Sequence, residues 1–199
     1  MLNLKKMLFI FVVICISIFI IFHYIFVNNG NNKNINQDKI ADKILKKFNK
    51  YEAKISVNII SNKNENFYEM TQYVYDNYMK MIVDYPQNIQ GVIIEIKDNT
   101  LSILNTKLNM EKVYDNYGIN INNSLFLNTL VKDITESDYY VEEINDEIVL
   151  KIDKKDSDNT YVKYKELHMD KEFVPKYLII KDAAKNVRIR IVYTDIKFK

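Results

Sequence analysis

The chain has 199 residues, 48% hydrophobic and 27% charged, with formal net charge +2, three Gly, two His, one Cys and no Trp. Three separated glycines, Gly30, Gly91 and Gly118, cannot form a phosphate-cradling loop, which needs them clustered for close backbone approach. One Cys excludes an internal disulfide and any multi-Cys metal site, and two His leave no His-rich zinc site.

The charge is unevenly placed. Lys5 and Lys6 are the only formally charged side chains in residues 1–27, and removing them leaves 26 basic against 26 acidic residues. A neutral body is a poor nucleic-acid binder, because duplex affinity is mostly cation–phosphate attraction. Residues 8–27, opening on Leu8 and closing on Val27, carry no formal charge. Twenty residues at about 1.5 Å rise span roughly 30 Å, the thickness of a bilayer core. Lysines before the run predict a cytoplasmic N-terminus and an extracytoplasmic body. The run is longer than a signal-peptide core and no A-x-A-like site follows it, which favours an uncleaved anchor over a cleaved signal. Cys15 is a weak lipidation candidate: Ile14 precedes it and Ile16, Ile18 and Phe19 follow, so it reads as a small apolar residue of the span. Residues 28–36 (NNGNNKNIN) read as a flexible linker, and residues 37–199 as one domain.

Residues 37–51 carry a helical stripe, Ile40, Ile44 and Phe48 with Leu45, and their acids precede their cations, as the helix dipole favours. The period then becomes two. Ile55, Val57 and Ile59 alternate with polar residues; residues 67–75, 79–85, 92–97 and 100–106 read as further strands. Asp76-Asn77 and Asp98-Asn99 supply turns, and Pro86 stops the third strand. A second helix is expected at about 122–134, capped by Asn123 and carrying Leu125, Leu127, Leu130, Val131 and Ile134. Strands at 138–144 and 147–152 flank Asn145-Asp146, and 160–169, 174–181 and 187–197 complete the set. The expected fold class is α+β: one long antiparallel sheet with two helices over its concave face.

No cluster carries catalytic chemistry. His168 lies in a strand, and no G-x-S-x-G accompanies it. Asp153, Asp156 and Asp158 suggest calcium, but the sixth and twelfth positions counted from Asp153 are Asp158 and Tyr164, where an EF-hand needs Gly and Glu. Glu142, Glu143, Asp146 and Glu147 crowd one hairpin without an apolar pocket that would raise one pKa for glycoside cleavage. No metal or cofactor is expected. Tyrosines and methionines of the first meander are the candidate surface: Tyr73, Tyr75, Met79, Met81 and Tyr85 for a partner or an acyl cavity. Ordinary strand propensity and an ordinary core account for the same residues equally simply.

The order helix, meander, helix, meander resembles the LolA/LolB-like lipoprotein-carrier fold. The C-terminal stretch adds to the likeness: Leu167-His168-Met169-Asp170 closes one strand, Val174-Pro175-Lys176-Tyr177 opens the next, and Ile191-Val192-Tyr193-Thr194-Asp195-Ile196 follows. Within that superfamily the small, membrane-attached, Asn/Ile/Lys-rich chain resembles the GerS-like germination proteins of clostridia. The resemblance implies an incomplete β-barrel lidded by helices, and no enzymatic activity. It further implies an envelope protein partner, an N-acetylmuramoyl-L-alanine amidase acting on spore-cortex peptidoglycan. The carrier branch implies a lipid or lipoprotein ligand in the half-barrel instead. A cell-wall hydrolase is the third reading.

Overall fold

The computed structural model describes residues 37–117, 124–154 and 161–199. The apolar run with Leu8, Cys15 and Val27, the linker, Asn123, Asp156 and Asp158 lie outside the described residues. Among those described, no helix is long and apolar enough to cross a membrane. Residues Asn36–Lys199 form one compact unit.

Helix α1 (Gln37–Lys47) buries Ile40, Ala41 and Ile44, with Phe48 just beyond its end. It stops four residues short of the expected end at Tyr51. That tyrosine is wholly buried in strand β1 (Lys50–Ile60), opposite Val74 and Phe198, so strand pairing overrides the helical stripe. Strands β2 (Glu65–Tyr75), β3 (Tyr78–Tyr85), β4 (Val92–Lys97), β5 (Thr100–Asn105) and β6 (Met110–Tyr114) follow as a meander. β6 is a sixth strand that hydrophobic alternation does not announce, since all five of its residues are exposed. The Asp98-Asn99 and Asn145-Asp146 turns are left-handed at both residues, as tight hairpins require.

Helix α2 (Thr129–Glu136) begins later than the expected 122. Phe126 and Leu127 are already committed as a buried turn, with the Leu127 N–H donating 2.9 Å to the Tyr51 hydroxyl. A second meander then runs through β7 (Asp138–Ile144), β8 (Glu147–Asp153), β9 (Tyr164–Met169), β10 (Pro175–Lys181) and β11 (Val187–Phe198). All pairings are antiparallel, in the order β6-β5-β4-β3-β2-β1-β11-β10-β9-β8-β7. The two meanders therefore join at β1 and β11, and among the described residues β6 and β7 are the outermost strands.

Paired residues share a face, and one face is covered. Val57, Val74, Leu150, Leu167, Leu178, Ile180 and Ile191 lie on it with 1% exposure or less, and Phe126, Leu127 and Leu130 of the α2 segment, which is bonded to Tyr51 of the same face, are likewise buried. Full burial of such a side chain stabilises the fold by about 1.5–3 kcal/mol. Several buried polar groups here are paired, whereas the buried Tyr193 hydroxyl has no hydrogen-bond partner among the described residues. The Tyr51 hydroxyl donates to Gln72 Oε1 at 3.1 Å, and Gln72 Nε2 donates to the Leu125 carbonyl at 3.0 Å, which fastens the segment before α2 to the sheet. The Lys165 ammonium, 2% exposed, pairs with Asp133 of α2, and Lys154 reaches the same carboxylate at 2.7 Å.

Candidate partner-binding face

The opposite face of the sheet is covered by no described helix, and its residues set the candidate site. Two β-bulges shape its centre. Between β1 and β11 the register slips at Lys54/Ile55, leaving Thr194 as the extra residue; between β2 and β3 it slips at Glu69/Met70, leaving Asp84. A bulge re-aims the side chain it displaces. Thr194 and Asp84 line one furrow of about 360 Å³ with Lys54, Ser56, Glu69 and Thr71. The Thr71 hydroxyl donates 2.7 Å to Asp84 Oδ2, and the Thr194 hydroxyl donates 3.1 Å to the Lys54 carbonyl.

Aromatic residues flank the furrow. Tyr85 is directly opposite Glu69, and its ring meets that of Phe67 at 6.0 Å; both rings are nearly half exposed. Val192 is the third exposed apolar residue here, opposite Ser56. Tyr73 and Tyr75 lie further along β2 on the same face, half-buried, with Tyr75 opposite Tyr78. The Tyr75 hydroxyl donates to Glu52, which lowers the carboxyl's pKa below its usual range, helped by Lys199, and raises that of the phenol. Of the five residues proposed from sequence, Tyr73, Tyr75 and Tyr85 share this open face. Met79 and Met81 point the other way, into the core, where Met79 sulfur accepts from Asn128 and Met81 from Gln72.

The carboxylates of the β7–β8 hairpin are all engaged by lysines: Glu142 by Lys151, Glu143 and Asp146 by Lys171, and Glu147 by Lys176 at 2.8 Å. Asp146 and Glu147 are thereby held below the ordinary carboxylate pKa, the opposite of what a general acid needs. His168 is half-buried, its Nδ1 3.1 Å from Glu147 and 2.9 Å from the Tyr177 hydroxyl, with the Tyr177 ring stacked on it at 4.2 Å. Among the described residues no group of three or more His, Cys, Asp or Glu could hold a metal ion.

The furrow and its bulges are what sequence reasoning does not reach. A bulge is a property of register between two strands, and Thr, Asp and Ser on an outward position look like any solvated strand face. Phe67 and Val192 give no signal beyond strand propensity.

An open antiparallel sheet of two meanders meeting at first and last strands, with helices on one face, is consistent with the LolA-like fold expected from the sequence. No protein-family model matches the sequence, and no curated protein matches it. Among solved structures the chain is similar to the GerS lipoprotein of Clostridioides difficile in complex with the CwlD amidase: TM-score 0.51, 21% identity, covering 81% of this chain and 93% of that one. It is similar to an uncharacterized conserved protein of Thermus thermophilus at TM-score 0.54 and 11% identity, covering 81% and 86%. A LolA superfamily protein of Nitrosomonas europaea follows at TM-score 0.43 and 13% identity, covering 80% and 93%. The body of this chain thus shares its fold with the GerS lipoprotein solved with CwlD.

Proposed function

We propose that this chain is a non-enzymatic, membrane-tethered binding protein of the cell envelope, whose body engages a protein partner outside the membrane. The observation that carries the reading is the uncovered sheet face, where Phe67, Tyr85 and Val192 stand exposed around a polar furrow. Large amphipathic rings around a concave polar centre are what protein interfaces use as anchors. An N-acetylmuramoyl-L-alanine amidase of the spore cortex is the first candidate partner, supported by the fold shared with a protein solved in complex with an amidase. The tether is supported by the uncharged run at residues 8–27 behind Lys5 and Lys6.

The packing of Phe126, Leu127 and Leu130 onto the covered face speaks against the carrier reading, because the chain's own side chains occupy it over the described residues. The paired, acid-shifted carboxylates of the β7–β8 hairpin speak against the hydrolase reading. The test is titration of detergent-solubilised full chain with purified envelope amidases. We expect a stoichiometric complex, weakened about tenfold or more by the F67A/Y85A double variant. Binding to no amidase overturns the amidase assignment, and lipid retained on the purified chain in native mass spectrometry revives the carrier reading.

A further inference from the structure

A second surface lies away from the furrow, where α1 meets the turn between β9 and β10. Lys43, Lys46 and Lys47 from the helix and Lys171, Glu172 and Phe173 from the turn line one groove of about 510 Å³. The turn fixes the position of its phenylalanine, which is half-buried. Asp170 Oδ1 accepts from the Glu172 and Val174 amides, the Phe173 amide donates 3.0 Å to the Asp170 carbonyl, and Phe173 is held at φ 61°. A left-handed backbone at a bulky aromatic residue is uncommon and costs conformational energy. The Lys43 ammonium lies 5.3 Å from the centre of the Phe173 ring.

The cations are not equally available. Lys47 donates to the Glu172 carbonyl at 2.7 Å, and Lys171 is held by Asp146 and Glu143. Lys43 and Lys46 are exposed and have no carboxylate partner among the described residues; Asp42 and Glu172 are the neighbouring acids. An aromatic ring flanked by unpaired lysines suits a bilayer interface, where the ring enters the headgroup region and the ammonium groups meet lipid phosphates. Chain length points to the same occupant. Only the nine residues 28–36 separate the apolar run from α1, so at full extension the helix starts within about 30 Å of the run's end.

We propose that this groove docks the body onto the anionic lipid surface in which the chain is anchored, with Lys43 and Lys46 against headgroup phosphates and Phe173 entering the interface. The inference rests on the anchor reading. It fixes an orientation in which the α1 side faces lipid.

The absence of Trp supplies the test. The full chain carrying F173W is reconstituted into phosphatidylcholine vesicles with or without about one-third phosphatidylglycerol, each containing brominated acyl chains. Y85W, on the open sheet face, serves as the control. We expect F173W fluorescence to be quenched and blue-shifted only where phosphatidylglycerol is present. High salt or the added pair K43E/K46E should reverse this, each lysine contributing about fivefold to the docked population; Y85W should not respond. Vesicle flotation of the same samples separates the two readings. A chain that floats but shows equal F173W emission in both lipids, or quenching indifferent to salt and K43E/K46E, overturns the docking alone. A chain that does not float with either vesicle overturns the anchor and the docking with it.

Discussion

Lys165 is a charged group in a place where charge is expensive. Burial pushes its ammonium below the ordinary lysine pKa, with Asp133 pulling in the other direction. An ion pair in this setting is a poor source of stability, but breaking it strands a charge in the core. Replacing Lys165 by Met should therefore destabilise the fold by about 3–5 kcal/mol, because among the described residues Asp133 keeps only Lys154 as a cation partner, itself partly exposed. The joint K165M/D133L variant should cost less than K165M alone, since neither charge then remains buried. Urea unfolding midpoints of the three proteins check this. A double variant no more stable than K165M would mean that the pair is net favourable here. The pair's clear structural effect is to join β9 to α2, which the Tyr51–Gln72–Leu125 hydrogen bonds do from the other meander.

Strands differ in how strongly their neighbours hold them. β1 and β11 are flanked on both sides, whereas among the described residues β6 has one partner, and none of its own residues is buried. Local opening follows such differences. Amides of β6 should exchange with deuterium about a hundredfold or more faster than those of β1 and β11, measured by hydrogen exchange with mass spectrometry. Equal protection would imply that the edge is covered in solution. The same contrast explains what the sequence could disclose. Strands with one buried face alternate visibly, as in Ile55, Val57 and Ile59, and paired Asp/Asn turns marked their ends. β6, exposed on both faces, left no pattern to read. Tyr51 was drawn out of a helical stripe by partners at Val74 and Phe198. Three tyrosines of the candidate surface were legible as strand aromatics, but Met79 and Met81 carry nothing in sequence that distinguishes a surface methionine from a core one. The furrow depends on two register slips between strands, and no local sequence window contains a register.

Taken as a whole, the domain is sensitive to acid. Hydrogen bonds or ion pairs hold four carboxyls below their usual pKa: Glu52 by Tyr75 and Lys199, Asp146 by Lys171, Glu147 by Lys176 and His168, and Asp182, against the opposing effect of burial, by Asn186 and Arg188. In the unfolded chain these groups return to ordinary values near pH 4, so below that range the unfolded state binds more protons than the folded one. Their stabilisation is present above about pH 5 and is lost as pH falls through the depressed folded values. Thermal midpoints should fall on acidification below about pH 4, and E147Q should flatten the decline. The junction of β1 with β11 has a consequence of another kind, in the timing of synthesis. Lys54 and Thr194, bonded across it, are 140 positions apart. The first meander therefore leaves the ribosome with the outer edge of β1 bare, long before the strand that covers it exists. The vulnerable species in the life of this protein is that half-sheet, and a premature stop anywhere before residue 187 makes it permanent.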